Sequence, residues 1–107
     1  GVILCPTPFG FLLGRIIGPE AEILTLAIAP DHRRQGHAAA LVAAFELCAK
    51  DQGVEDMFLE VAATNKAAIA LYERHGFREA GYRKDYYGGT NGEKVSALVM
   101  TMRIVGD

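Results

Sequence analysis

The sequence predicts a mixed α/β fold in which the elements follow the order β-β-β-α-β-α-β-β. Apolar runs bounded by proline and glycine predict strands in the first third of the chain. Two later stretches carry apolar residues at helical spacing, and a loop rich in turn-forming residues separates two strand-like segments near the end. With 107 residues, a single domain is expected. The strand-helix-strand portion predicts a right-handed crossover between antiparallel ends.

Six strands are predicted, over residues 2–4, 9–17, 22–28, 57–61, 77–87 and 95–104. Pro6 and Pro8 separate the first two strands. Residues 18–20 (Gly-Pro-Glu) are a turn signal, so the second and third strands are expected to form an antiparallel hairpin. Pro30 is expected to end the third strand, and a glycine-rich loop over residues 88–92 is expected to join the last two.

Two helices are predicted between these strands. The first covers residues 36–52, and Gly53 is expected to end it. The second is expected to begin at a cap supplied by Thr64 or Asn65 and to run through His75. The apolar face of the first helix is expected to carry Leu41, Ala44, Phe45 and Cys48.

Composition narrows the classes of function. Half of the residues are hydrophobic and 22% are charged, which is typical of a globular protein. The formal net charge of -2 argues against direct nucleic-acid binding, which uses a broadly basic surface. The sequence shows neither a membrane-spanning run nor a signal peptide, so a cytoplasmic location without a membrane partner is expected. Cys5 and Cys48 fit no metal-ligand spacing, and free thiols are favoured over a disulfide.

The most informative segment is a basic turn between the third strand and the first helix, Arg33-Arg34-Gln35-Gly36-His37-Ala38. It has neither the Gly-x-Gly-x-x-Gly pattern of dinucleotide-binding folds nor the Gly-Lys-Ser/Thr of a P-loop. What remains is the spacing Arg33-x-x-Gly36-x-Ala38 at a helix start, where backbone N–H groups and the helix dipole favour an anion. The turn therefore predicts a phosphate or pyrophosphate site, or else a helix start with surface arginines.

The second half of the chain points to one family. Six segments carry the resemblance: Leu59-Glu60-Val61, Asn65, residues 68–73 (Ala-Ile-Ala-Leu-Tyr-Glu), Gly76-Phe77, residues 83–87 (Arg-Lys-Asp-Tyr-Tyr) and residues 97–100 (Ala-Leu-Val-Met). Together they resemble the GCN5-related N-acetyltransferases (GNAT family). The agreement is closest with bacterial enzymes that acetylate the N-terminal alanine of a small-subunit ribosomal protein. The resemblance extends from about residue 9 to residue 102 and so covers most of the chain.

The resemblance implies a mixed central sheet of the acyl-CoA N-acyltransferase type and acetyl-CoA as the acetyl donor, with no metal. It assigns Glu60 as general base and Tyr72 as general acid. The implied acceptor is a protein N-terminal amine, in particular the N-terminal alanine of a ribosomal protein. The implied cofactor-binding residues are Leu26, Ala27, Ile28, Arg34, Gln35, Gly36, His37, Ala38, Ala39 and, near the reactive end, Asn65.

The chemistry of amide formation gives both catalytic side chains a task. An α-amino group is mostly protonated below its pKa of about 8, so a carboxylate beside the thioester can remove that proton, directly or through one water. The departing thiolate needs a proton, which a tyrosine hydroxyl can deliver. For both residues a purely structural interpretation stays open. Glu60 would then lie on the solvent face of a half-buried strand, and Tyr72 would be an aromatic residue of the core. A backbone N–H near Ile28 is the expected donor to the developing oxyanion.

Other reactive side chains are given no catalytic role. Cys48 is expected in the core, and without a Cys-His-Asp arrangement direct transfer is favoured over an acyl-enzyme. His32 is expected at the loop surface, and His37 is expected to act through its backbone rather than its imidazole. Arg83, Tyr86 and Tyr87 are expected either to line the acceptor groove or to pack and cap a strand.

The resemblance also predicts a short N-terminus and leaves the acceptor open. Only residues 1–8 precede the Phe9 strand, so the family's usual N-terminal strand and two helices, which form one wall of the acceptor site, are expected to be missing. A free sheet edge favours pairing, and a homodimer is one expected arrangement. The alternatives are a lysine or small-molecule amine as acceptor, or a catalytically weak acetyl-CoA-binding module.

Overall fold

The computed structural model describes residues 1–88 and 94–104. Within them lie β1 (Val2–Thr7), β2 (Gly10–Ile17), β3 (Glu20–Ile28), a 3₁₀ helix (Pro30–His32), α1 (His37–Asp51), β4 (Asp56–Ala62), α2 (Lys66–Arg74), β5 (Arg78–Gly88) and β6 (Lys94–Arg103). The strands form one mixed sheet in the order β1-β2-β3-β4-β6-β5. The predicted fold class and element order are confirmed. Beyond Gly88, the predicted glycine-rich loop lies outside the described residues.

The chain groups into two compact units. Unit 1 is Gly1–Met57 with Arg103–Asp107, and unit 2 is Phe58–Met102. In the described part of the chain, no helix is long and apolar enough to cross a membrane.

The three strands β1, β2 and β3 of unit 1 form an antiparallel meander. The predicted hairpin is confirmed: Ile17 pairs with Glu20 across a two-residue turn, in which Gly18 has a φ of +56°. The first strand is longer than predicted, because Pro6 continues it and pairs with Phe11. β1 is the edge strand, and an edge strand tolerates proline because one side of it needs no N–H donor.

Helix α1 packs on the face of the meander that carries Gly14. A Cβ on Gly14 would overlap the ring of Phe45, which is fully buried. The predicted apolar face of α1 is partly wrong, since Ala44 is exposed and Cys48 only half-buried. In an alanine-rich helix the sequence does not define which side is buried, because alanine fits both the buried and the exposed side. The residues of α1 that are buried are Leu41, Val42, Phe45 and Ala49.

The close approach of Gly14 to Phe45 predicts a loss of stability on enlargement. We expect Gly14→Ala to lower the free energy of unfolding by about 1–3 kcal/mol, because overpacking forces side chains and backbone to shift. Urea denaturation measures this change. Gly81→Ala is the matched control, since its Cβ would lie 3.5 Å from the Cβ of Val99, an ordinary contact. Equal losses in the two variants would contradict the prediction.

The opposite face of the β1–β2 pair is apolar and open. Val2 and Leu4 are 65% and 59% exposed, and Phe11 on β2 is exposed as well. Pairing places these side chains on the face away from Gly14, because Val2 lies opposite Arg15 and Leu4 opposite Leu13. The expected homodimer stays a prediction.

Unit 2 consists of most of β4, the helix α2 and the β5–β6 hairpin. Along β4 the buried residues Leu59 and Val61 alternate with less buried neighbours. Helix α2 begins after Asn65, which is one of the two predicted caps. It ends before Gly76, whose φ is +102°. The β5–β6 register shifts twice, and the second shift lies between Arg83 and Tyr87.

Candidate active site

The predicted phosphate turn enters α1 with two residues in the left-handed region. Arg34 has a φ of +61° and Gly36 a φ of +86°. This conformation costs a residue with a Cβ roughly 1–2 kcal/mol, so the rest of the turn must offset the strain at Arg34. Left-handed residues in such a turn direct successive backbone N–H groups to one side, which creates an anion-binding concavity.

The first turn of α1 adds unpaired donors to this concavity. Gly36 is the N-cap and supplies no side-chain acceptor, and the first turn holds no acidic residue. Among the described residues, no acceptor faces the N–H groups of His37, Ala38 and Ala39; the first helical bond runs from Ala40 N–H to the Gly36 carbonyl, at 3.0 Å. Because a helix N-terminus carries partial positive charge, these donors fit a phosphate group.

Side chains of the turn fasten it in place. The Nε of Arg33 donates to the carbonyl of Ile28 at the end of β3, at 3.1 Å. Nε2 of His37 and Oε1 of Gln35 lie 3.2 Å apart. Arg34 is exposed and forms no ion pair among the described residues. Arg33 therefore supports the shape of the turn, whereas Arg34 presents its charge to solvent.

A stack of three rings lies beside this turn and corrects the expectation for His32. The rings of Phe9 and His32 are stacked, with centroids 3.9 Å apart, and the ring of His37 lies 4.8 Å from that of Phe9. His32 is therefore not at the loop surface; its Nδ1 is buried without a partner among the described residues. The imidazole of His37 packs as well, and the expected role of its backbone stays a prediction. Only the strand register, in which Ala29 N–H donates to the Phe9 carbonyl at 2.7 Å, brings these rings together.

The backbone of β3 directs its N–H groups to alternate sides. Ala29 bonds to Phe9, and β3 pairs antiparallel with β2. Because bonded and non-bonded pairs alternate along such a ladder, Ala27 also directs its N–H toward β2, whereas Leu26 and Ile28 direct theirs away from β2. Of the three predicted cofactor-binding residues of β3, Leu26 and Ile28 therefore fit the role of donors better than Ala27.

The left-handed φ of Gly36 leads to a prediction about cofactor affinity. Gly36→Ala is expected to raise the acetyl-CoA dissociation constant about five- to thirtyfold, because strain of roughly 1–2 kcal/mol distorts the turn. Isothermal titration with acetyl-CoA measures it. Gly18→Ala is the matched control, since both glycines have positive φ and open space where the Cβ would go. An unchanged dissociation constant for Gly36→Ala, or an equal rise in both variants, would contradict a cofactor role of the turn.

Glu60 lies in unit 2 on β4, and its side chain is 24% exposed. It therefore lies on the less buried face of β4, between the buried residues Leu59 and Val61, and both the catalytic and the structural interpretation stay predictions. Oε1 of Glu60 lies 3.3 Å from Nη2 of Arg83 on β5. Sequence reasoning did not predict this ion pair, because it depends on the register of strands far apart in the chain.

Tyr72 combines burial with a protonated hydroxyl. It is 6% exposed and meets Phe77 edge-to-face, with ring centroids 5.7 Å apart. Burial raises the pKa of the Tyr72 hydroxyl above its ordinary value, so the group keeps its proton at neutral pH, the form that a general acid needs. The core interpretation and the acid role are therefore compatible.

Asn65 serves as the N-cap of α2, where its Oδ1 accepts from Ala68 N–H at 3.2 Å. Its contact with the cofactor stays a prediction. Within the described part of unit 2, no hydrogen bond or ion pair joins Glu60, Asn65 and Tyr72 to one another. The described residues also contain no group of three or more His, Cys, Asp or Glu that could hold a metal ion.

Comparisons with known proteins agree on the class of fold. The crystal structure of the ribosomal-protein-S18-alanine N-acetyltransferase from Escherichia coli matches with a TM-score of 0.84 and 37% identity, over 92% of this chain and 64% of that one. Ard1 from Thermoplasma volcanium matches with a TM-score of 0.82 and 29% identity, over 92% and 64% of the two chains. Both likenesses define an acetyltransferase-type α/β fold.

The sequence comparisons narrow the class to a family. The pattern of the Acetyltransferase (GNAT) family matches residues 6–77, and the chain belongs to this family. The [ribosomal protein bS18]-alanine N-acetyltransferase of Escherichia coli strain K12 is 39% identical over 94 residues, which are 88% of this chain and 63% of that protein. The chain thus spans slightly less than two thirds of these relatives. The predicted family resemblance is confirmed.

Proposed function

We propose that this chain is an acetyl-CoA-dependent N-acetyltransferase whose acceptor is a protein N-terminal amine, in particular the N-terminal alanine of a ribosomal protein. The observation that carries the proposal is the turn with left-handed Arg34 and Gly36, which leads into unpaired N–H groups at the start of α1. Such a cradle suits the pyrophosphate of acetyl-CoA. The name of the Escherichia coli relative supports alanine as the acceptor.

In the proposed mechanism the amine attacks the thioester directly. Glu60 removes a proton from the amine, directly or through one water, and the free nitrogen attacks the carbonyl carbon. A backbone N–H near Ile28 stabilises the oxyanion. Collapse of the tetrahedral intermediate breaks the C–S bond, and Tyr72 gives its proton to the departing thiolate. The nitrogen, which is cationic after the attack, releases its second proton to water, and Tyr72 regains a proton from water. The C–N bond replaces the C–S bond, and no acyl-enzyme is formed.

The two cysteines support direct transfer. Burial and the neighbouring Cys48 thiol raise the pKa of the Cys5 thiol, so Cys5 is a poor nucleophile at neutral pH. Cys48 is half-buried, and its Sγ lies 3.5 Å from Nε2 of Gln52. Both cysteines are free, which suits the reducing cytoplasm as the place of the reaction.

The proposal is tested by thiol release from acetyl-CoA. An alanine-initiated peptide that also contains lysine is compared with the same peptide blocked at its N-terminus and with an aminoglycoside. We expect thiol release only with the free N-terminus, and mass spectrometry should place the acetyl group on alanine. Release with the blocked peptide would indicate lysine, and release with the aminoglycoside a small-molecule acceptor. If no acceptor gives turnover while acetyl-CoA still raises the melting temperature, the chain is a binding module.

A further inference from the structure

The ion pair between Arg83 and Glu60 holds the proposed catalytic base before any substrate is present. Nη2 of Arg83 lies 3.3 Å from Oε1 of Glu60. The Arg83 guanidinium also lies over the ring of Tyr86, 4.9 Å from its centroid, within the range of a cation–π interaction. Arg83 is thus located between a carboxylate and an aromatic ring, and its side chain remains 52% exposed.

Arg83 lies at the start of an irregularity in β5. The β5–β6 register shifts between Arg83 and Tyr87, and within this segment Asp85 has a φ of +53°. The N–H of Asp85 donates to Oγ of Ser96 at 3.1 Å, and the Tyr82 hydroxyl donates to the same Oγ at 2.9 Å. This bulge turns the strand locally, and bulges commonly re-aim side chains near active sites.

Ser96 links the bulge to the strand that carries Glu60. Its carbonyl accepts from the N–H of Ala63, which directly follows β4, at 2.8 Å. Ser96 of β6 therefore accepts hydrogen bonds both from the bulge beside Arg83 and from the residue that follows β4. Hydrogen bonds of Ser96 thus connect the segment next to Arg83 with the end of the strand that carries Glu60.

The charges of this pair bear on the choice of acceptor. An amine arrives mostly as an ammonium ion, a cation that can pair with Glu60 in place of Arg83. Arginine does not give up its proton in proteins, so the Arg83–Glu60 pair itself transfers none. A neutral nucleophile such as water carries no charge with which to compete for the carboxylate.

We propose that Arg83 is a positioning residue, which holds the Glu60 carboxylate until a cationic amine acceptor displaces it. This inference rests on the function proposed above. Arg83 then contributes to specificity: the acceptor must compete with a guanidinium, which only a cation does effectively. Removal of Arg83 should therefore tighten acceptor binding while it leaves Glu60 less well oriented.

The test measures KM and kcat of Arg83→Gln with an alanine-initiated peptide by thiol release. We expect the KM for peptide to fall about two- to fivefold, the range that partly exposed ion pairs support. We expect kcat to fall as well, the KM for acetyl-CoA to stay unchanged, and Arg83→Lys to restore the KM for peptide. The difference in KM should shrink in 0.5 M salt (a concentration of about three times physiological ionic strength), because screening weakens exposed pairs.

Arg78→Gln is the matched control, since it removes the same charge from the start of the same strand. An unchanged or raised KM for peptide in Arg83→Gln, or equal effects of the two variants, would overturn the role of Arg83. If the wild-type chain turns over no acceptor, the proposed function fails, and the role of Arg83 fails with it. If the wild-type chain is active and Arg83→Gln has the same KM and kcat, only the role of Arg83 is overturned, and the proposed function stands.

Discussion

Glu60→Gln is expected to lower kcat for an alanine-initiated peptide at neutral pH by about 10²- to 10⁴-fold, the usual contribution of a positioned acid or base. The substitution keeps the size of the side chain but removes its ability to take a proton from the incoming ammonium. The loss should shrink toward about pH 9.5, because an α-amine with a pKa of about 8 is then mostly deprotonated without help. Rates of thiol release across this pH range provide the measurement.

The matched control for this substitution is Glu79→Gln, which makes the same change at an exposed position of β5. It should leave kcat near the wild-type value. A parallel pH profile for Glu60→Gln and the wild-type chain would argue against proton removal by Glu60. Acetyl-CoA affinity should be similar in all three proteins, so that a loss of rate cannot be attributed to a loss of cofactor.

Signals within short segments predicted most of the fold. The turn at Gly18 and the cap of α2 depend on neighbouring residues, so the sequence alone placed the hairpin, and it placed the start of α2 to within one residue, with Thr64 or Asn65 as the cap. Gly53 and Gly76 have φ values of +83° and +102° and mark the helix ends, as the pattern predicted. The turn before α1 was located for the same reason, since Gly36 combines a left-handed φ with a helix start.

The features that the sequence did not predict depend on contacts between distant segments. Pro6 lies inside β1 because that strand is at an edge, which a local pattern cannot indicate. The stack of His32 on Phe9 needs the β2–β3 register, and the ion pair between Glu60 and Arg83 needs the arrangement of β4 and β5. Sequence reasoning identified the types of residue at the candidate site, whereas the structure supplied their partners.

These partners change how the candidate site is understood. The turn was predicted as a row of backbone donors, but His32 and Phe9 pack beside it and Arg33 fastens it to Ile28. Glu60 was predicted as a general base with no partner assigned, and the structure places the Arg83 guanidinium beside it. In both places, neighbouring side chains hold a group of the candidate site in position. Under the proposed function, this preorganisation would lower the cost of reaching the transition state.

Tyr72→Phe is expected to lower kcat by about 10²-fold, the lower end of the range for acid–base catalysis, because a thiolate with a pKa near 8.5 is a fair leaving group even without a proton donor. The substitution keeps the ring that meets Phe77 edge-to-face, so the melting temperature and the acetyl-CoA dissociation constant should change little.

The burial of Tyr72 also predicts a pH dependence of stability. Burial raises the pKa of its hydroxyl, so the folded chain resists ionisation of this group. The stability that this gives is fully present below the pKa of an unfolded tyrosine, about 10, and is lost as the pH rises above it. Tyr72→Phe should therefore melt like the wild-type chain at pH 7 and resist alkaline unfolding better. If kcat falls only in proportion to a lower melting temperature at pH 7, Tyr72 is a core residue and another group protonates the thiolate.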